Sequence, residues 1–373
     1  MEKNEFKLMM TTDTLGEVWD YSLELCRELQ GYGVQVHLLS MGRWPNASQE
    51  REVSRLENVV FYRSGYKLEW MNRPWEDVAR AKKWMTAIYH TIRPDLVHFN
   101  NFTHLKHPGE CPIVTVYHSC VLGWWKSLRV SASPAIWYAY RQWVANALKA
   151  SDVIVSPSNS MLEQLERIHP IVGQTRVIHS GRNFQGPESG EKEPMILCSG
   201  RVWDHDQDLR LLSHLADRLP WPIYVAGEIR DSNTGAFAQS DKVNLLGKLS
   251  LNQLSQWMQR ASIYLCPSKY EPYGLAVMEA AKHGCALALA NIGSLREIWG
   301  NTALYFDCGD SGEMEACLKA LIDDDPLRES IAGLSRKRTR ADNGRAMAEQ
   351  YVKLYRRLLG QTRSQIKPLT QAL

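Results

Sequence analysis

Two glutamates set eight positions apart around a Pro/Gly turn are the residues here best placed to do chemistry together. They are Glu271 and Glu279, in the run Ser268-Lys269-Tyr270-Glu271-Pro272-Tyr273-Gly274-Leu275-Ala276-Val277-Met278-Glu279-Ala280. A strand ends near Pro267, and the turn after it leads into a helix. A helix N-terminus presents free N–H groups and the positive end of a dipole, which suits sugar hydroxyls or phosphate oxygens. Glu271 falls on the turn, and Glu279 about two helical turns further on. Carboxylates so placed can accept hydrogen bonds from hydroxyls at two points of one elongated ligand. A plainer reading stands beside this one, with Glu271 a helix-start charge and Glu279 a solvated one.

Something must hold such a turn in place, and the chain supplies a repeated rhythm of short apolar runs and longer helical patterns. Residues 6–10 read as a strand, 11–17 as a loop, and 18–30 as a helix with Trp19, Leu23, Cys26 and Leu29 at helical spacing. Strands follow at 34–40, 96–99, 113–117, 153–156 and 176–178. Helical patterns between most of them imply parallel strands with right-handed crossovers. Residues 183–193, polar and rich in Gly, Glu and Pro, read as a linker. The rhythm then restarts, with strands at 195–199, 223–226, 243–246, 263–266 and 286–290 and helices at 209–218, 251–260 and 275–282. A last helix, 345–359, follows the breaker Asp342-Asn343-Gly344 and ends at Gly360. The fold class is therefore α/β, with two Rossmann-like doubly wound domains whose strand ends face a cleft. The expected boundaries are 1–183 for an N-terminal acceptor-side domain and 184–345 for a C-terminal donor-side domain. Residues 346–373 form a helix and tail that pack back on the first domain.

Composition narrows the function classes. A chain of 373 residues is long for one core, and a net charge of +3 gives no support to nucleic acid as a partner. The start of the chain has no apolar run of signal-peptide length, and no 18 consecutive apolar residues occur, so a cytoplasmic location is expected, or one peripheral to the inner face of a membrane. The eight cysteines are scattered without CxxC spacing and read as buried thiols. Asp204-His205-Asp206 is the one run with metal-ligand residue types, but adjacent side chains diverge, so no metal site is expected. Thirteen tryptophans are many; Trp124, Trp125, Trp137 and Trp143 lie among Lys126, Arg129 and Arg141, as aromatic core or as acceptor-binding or membrane-surface residues.

The glutamate run resembles the E-x7-E motif of the family-four glycosyltransferases, the large retaining group with the GT-B fold. The likeness spans nearly the whole chain. Thr11-Thr12-Asp13-Thr14-Leu15-Gly16-Glu17-Val18-Trp19 resembles the family's donor-phosphate loop, and Val116-Tyr117-His118-Ser119-Cys120 its histidine-bearing loop. Val177-Ile178-His179-Ser180-Gly181 is similar to the interdomain segment, Ser199-Gly200-Arg201 to the start of the second domain, and Asn291-Ile292-Gly293-Ser294-Leu295-Arg296-Glu297 to a later loop.

The resemblance implies a set of roles. Glu279 bonds the ribose hydroxyls of a nucleotide and Glu271 lies at the transferred sugar. Backbone N–H groups of Tyr273, Gly274 and Leu275 meet sugar and phosphate oxygens. Arg201 neutralises the diphosphate, Gly16 lets backbone approach it, His118 faces the donor sugar, and Lys248 and Leu249 lie at the nucleobase. The implied reaction moves a hexose, with retention, from a UDP- or GDP-linked donor to a hydroxyl acceptor: a sugar, a lipid-linked sugar or a small molecule. No cofactor and no metal are implied, since cations and N–H dipoles stabilise the departing diphosphate in a dry cleft. Two positions depart from the pattern. Gln207 stands where the family has lysine, in a loop with Asp204, Asp206 and Asp208, and Glu17 stands where it has a second glycine. Lys126, Arg129, Lys248 or Arg296 could replace the lost cation. The alternative is a degenerate GT-B protein with a binding or scaffold role and little transferase activity.

Overall fold

The computed structural model describes residues 6–103, 111–128, 137–183, 190–200, 209–229 and 239–360. Two compact units divide the chain: Met1–Asn183 with Asn343–Leu373, and Phe184–Asp342. Arg201 and Gln207, with the acidic loop around them, lie outside the described residues, as does Arg129.

The first unit holds seven strands: β1 (Phe6–Asp13), β2 (Val34–Met41), β3 (Val59–Tyr62), β4 (Leu96–Phe99), β5 (Ile113–Val116), β6 (Val153–Ser156) and β7 (Gln174–Val177). They pair in parallel in the order β3-β2-β1-β4-β5-β6-β7. Both faces are covered, which is why the inner strands read as unbroken apolar runs. On one face Leu8 and Met10 pack with Leu25 and Leu29 of the helix Glu17–Gln30 and with Tyr351 and Tyr355 of the helix Gly344–Leu359. On the other, Met9, Leu39 and Phe99 pack with Met85 and Ile88 of the helix Trp75–Ile92. The last helix thus completes the core of the first unit. Asn343 caps it, its side chain accepting from the Ala346 N–H at 2.9 Å.

The first strand runs three residues past the expected 6–10, so the loop expected at 11–17 shrinks to the residues between Asp13 and Glu17. Thr11 and Thr12 are polar yet buried. The Thr11 Oγ1 accepts from the Asn100 N–H at 2.9 Å, and the Thr12 hydroxyl donates to the Val18 carbonyl at 3.4 Å. With their hydroxyls partnered, both residues can extend the strand at little cost.

The second unit holds six parallel strands: β8 (Glu193–Ser199), β9 (Ile223–Ala226), β10 (Asn244–Gly247), β11 (Ala261–Cys266), β12 (Ala286–Ala290) and β13 (Leu304–Phe306). Their order is β10-β9-β8-β11-β12-β13. Each sheet therefore has a point where the strand order reverses, between β1 and β4 in the first unit and between β8 and β11 in the second. In such sheets the crevice outside the strands' carboxyl ends at that point takes the ligand.

Candidate functional site

At the first reversal point the residues after β1, β4 and β5 meet. The Asp13 Oδ1 accepts from the N–H groups of Leu15 at 2.9 Å and Gly16 at 3.2 Å, closing a tight turn before the helix Glu17–Gln30. Burial holds the Asp13 carboxyl above its ordinary range, against the two N–H bonds that lower it. Gly16 is extended, with φ −159°, and among the described residues nothing beyond its own chain neighbours lies within 4 Å of where its Cβ would be. Glu17 is exposed in the first helical turn, where the dipole favours a carboxylate, so it has a local role of its own.

His118 follows β5 and is wired into the same point. Its Nε2 lies 2.8 Å from the Asn100 Oδ1, which also lies 3.0 Å from the Nε2 of His98. The Asn100 amide nitrogen donates to the Thr11 carbonyl at 2.8 Å, which fixes that oxygen as the one facing both rings. An amide oxygen only accepts, so both imidazoles must carry hydrogen on Nε2. The His98 Nδ1 then accepts from the Tyr355 hydroxyl at 2.5 Å. The chain of bonds leaves His118 with its Nδ1 lone pair to offer, and the edge of its ring stands against Tyr21, centroids 4.5 Å apart. Burial, with His98 beside it, pushes the His118 pKa down to about 3; burial pushes that of His98 down to about 4. Both rings are neutral at physiological pH.

At the second reversal point the turn after β11 carries the glutamates. The Glu271 Oε1 accepts from the Gly274 N–H at 2.9 Å, and its backbone carbonyl accepts from the Ser294 hydroxyl. Gly274 has φ +84°, a conformation that favours glycine, and starts the helix Leu275–Lys282. Glu271 thus acts as a helix-start charge, while Glu279, at 5% exposure, is buried, which overturns the solvated reading. Tyr273 and Leu275 are also buried. Lys248 is exposed just past β10, its Nζ 2.8 Å from the Glu228 Oε1, and Leu249 follows half-buried. Arg296 donates to the Asn291 Oδ1 at 2.7 Å and lies 3.8 Å over the Tyr305 ring. Lys126 is exposed on the helix Val121–Ser127.

The structure thus brings Glu271, Tyr273, Gly274, Leu275 and Glu279 together in one turn and helix, with Lys248 and Leu249 past another strand of the same sheet. Gly16, Glu17 and His118 belong to the first unit. Sequence reasoning missed Asn100 and His98, and named Asp13 and Ser294 only as members of longer loops, without a role of their own. Asn100 could have been found as the first residue after a strand at the reversal point. The tryptophans grouped in the sequence divide in space: Trp124 meets Trp125, Trp137 meets Tyr140, and Trp143 meets Trp75 and the Lys82 ammonium. Among the described residues there is no group of three or more metal-ligating side chains, no disulfide, and no helix long and apolar enough to cross a membrane.

Two family models match in succession, "Glycosyltransferase Family 4" over residues 18–185 and "Glycosyl transferases group 1" over residues 180–338. A glycogen synthase of Mycobacterium tuberculosis is 27% identical over 278 residues, covering 67% of this chain and 65% of that protein. The chain thus spans just under two thirds of that relative's length. A phosphatidyl-myo-inositol mannosyltransferase of Mycobacterium leprae is 22% identical over 92% of this chain and 93% of its own. Among solved structures, sucrose-phosphate synthase from Thermosynechococcus elongatus superposes with a TM-score of 0.76 at 17% identity, covering 95% of this chain and 100% of that one. Anabaena HepE in complex with UDP-glucose gives 0.72 at 13% identity, with 95% and 100% covered. These structures share the fold.

Proposed function

Because the chain belongs to the family-4 glycosyltransferases of the GT-B type, we propose that it transfers a hexose, with retention, from a UDP- or GDP-linked donor to a hydroxyl acceptor. The observation that carries this reading is the turn after β11. At a sheet's reversal point it sets a carboxylate, a left-handed glycine and a helix N-terminus together, with a buried second carboxylate behind them. In this reading Glu279 accepts from the ribose hydroxyls and Glu271 from the sugar. The N–H groups of Tyr273, Gly274 and Leu275 turn to sugar and phosphate oxygens, so a donor displaces Glu271 from the Gly274 N–H. Arg201 meets the diphosphate, with Gln207 where the family has lysine, and Gly16 and Glu17 belong to the loop that the resemblance assigns to the donor phosphates. Lys248 and Leu249 take the base. Leaving-group departure and acceptor attack share one face of the sugar, and the departing phosphate takes the acceptor's proton. No protein base and no metal are needed for that step. The chemistry fits an enzyme at work in the cytoplasm, or at a membrane's inner face where a lipid-linked acceptor lies.

A second reading, a binding protein on the same frame, draws on one observation. Asp13 already occupies the N–H groups of Leu15 and Gly16 that a diphosphate would use. The two part on a simple assay. With UDP- and GDP-hexoses, the purified protein is expected to release nucleoside diphosphate, and Glu279→Gln to bind UDP or GDP about 10- to 100-fold more weakly by calorimetry, the worth of a charge-assisted hydrogen bond. Release from no donor together with no nucleotide binding overturns the transferase.

A further inference from the structure

Past the carboxyl ends of β2 and β3 the first unit has a cavity of about 370 Å³ that the reaction proposed above does not use. Three aromatic rings, Trp44, Tyr66 and Trp84, line it together with polar residues. Trp44 is 67% exposed, the most open tryptophan among the described residues, and lies across Gly65, whose Cβ position is 3.6 Å from the indole. Tyr66 and Trp84 form a second wall, with centroids 5.8 Å apart. Arg63 and Asp77 also line the cavity. The guanidinium is held by two bonds to Glu50, at 2.6 and 3.0 Å, so its direction is fixed and its charge already balanced.

These features select a ligand class. Indole and phenol faces suit a ligand with a flat apolar side. The remaining Arg63 N–H groups and the Asp77 oxygens supply donors and acceptors at the rim, one charge of each sign. An anion would find no uncompensated cation here, since Arg63 is paired with Glu50, and the Asp77 carboxylate, 3.9 Å from the Arg80 guanidinium, is partly balanced as well. A pyranose ring has an apolar C–H face, a rim of neutral hydroxyls that donate and accept, and a size within a cavity of this volume.

The cavity is also tied to the candidate centre. Arg43, next to Trp44, donates its N–H to the Thr14 Oγ1 at 2.8 Å, and that hydroxyl donates back to the Arg43 carbonyl at 2.7 Å. Thr14 begins the turn at Leu15 and Gly16. The Gly42 N–H donates to the Tyr66 carbonyl at 2.7 Å, joining the two walls. We propose that this cavity is a second sugar subsite, in which Trp44, Tyr66 and Trp84 hold a neutral pyranose of a glycan acceptor at a distance from the ring that reacts. It rests on the transferase reading for the word acceptor, and on the cavity alone for the word sugar.

The test is an array of neutral α- and β-linked hexose oligosaccharides probed with the full chain, then titration of the best binder by tryptophan fluorescence. Trp44→Ala, an exposed position, is expected to weaken that binder about tenfold or more. Asp77→Asn is expected to weaken it too, and nucleoside diphosphate release without acceptor is expected to be unchanged in both. A blank array from protein that still releases nucleoside diphosphate overturns the subsite, and so does binding that Trp44→Ala leaves intact. Glycan binding lost with Trp44 in a protein that uses no donor would support the subsite and sink the transferase instead.

Discussion

Replacing Asn100 by leucine, which keeps the volume and removes the amide, is expected to lower kcat/KM about a hundredfold, with most of the loss in kcat. Neither substrate need touch Asn100 for this. Its oxygen is the common acceptor for His98 and His118; without it His98 keeps the Tyr355 hydroxyl at Nδ1, and His118 loses the bond that holds hydrogen on Nε2. His118 would then sample both tautomers and a range of ring angles, and misplacement of about 1 Å at a reacting centre costs on the order of 10²-fold. A purely structural role would destabilise the protein without changing the imidazole chemistry. Nitrogen-15 spectra of the histidines separate the two: in the parent, His98 and His118 stay neutral and Nε2-protonated down to pH 5, and in Asn100→Leu the His118 pattern becomes a mixture. Asn100→Asp gives a check of opposite sign. A carboxylate at that position favours the charged ring, so the pKa of His118 moves up from about 3. If the neutral ring is the active form, activity in this variant falls as pH drops through the raised pKa, while the parent shows no such fall from His118. An unchanged kcat/KM in Asn100→Leu, with spectra like the parent's, would remove Asn100 from the site.

The difference between what could be read in the chain and what could not is physical. Strands buried on both faces, such as β6 and β12, stand out because every residue is apolar or small, and their ends are where the runs stop. The edge strands β3 and β13 are apolar too, but they are only four and three residues long and half-exposed, and sequence reasoning missed them. The extension of β1 through two threonines was hidden because the partner of Thr11, Asn100, lies just past a strand and 89 residues further along the chain. The same holds for the centre. That Glu271 and Gly274 sit on a strand–turn–helix is local and readable. That Glu279 is buried depends on how its helix packs. The bonds joining His118 to Asn100 and His98 to Tyr355 depend on three-dimensional neighbours, the second spanning 257 positions, and no spacing in the sequence announces them.

Glycines at strand ends show the same division, and Gly227→Ala is the stability change expected to be largest. Gly200 and Gly227 are the first residues past β8 and β9, where the two strands separate and the chain leaves toward Arg201. Gly227 has φ +149°, and a Cβ there would lie 1.6 Å from the Gly200 carbonyl oxygen and 2.8 Å from its carbon. That neighbour is backbone, so no rotamer change relieves the overlap. Moving it breaks the bond from the Gly200 N–H to the Ala226 carbonyl, 2.9 Å, or that from the Gly227 N–H to the Gly247 carbonyl, 2.8 Å. Overpacking and a strained backbone together cost about 3–5 kcal/mol, a large part of the ~5–15 kcal/mol that holds a domain folded. The melting transition of the second unit is expected to fall by about 10 °C or to vanish. Gly16→Ala is the contrasting case. Its backbone is extended and no described residue beyond its chain neighbours crowds it, so stability should change by less than about 0.5 kcal/mol. If the diphosphate approaches that loop, nucleoside diphosphate release should drop even so. One glycine would then be required by the fold and the other by the ligand. A Gly227→Ala protein that melts like its parent would show that the ends of β8 and β9 can part more easily than these distances allow.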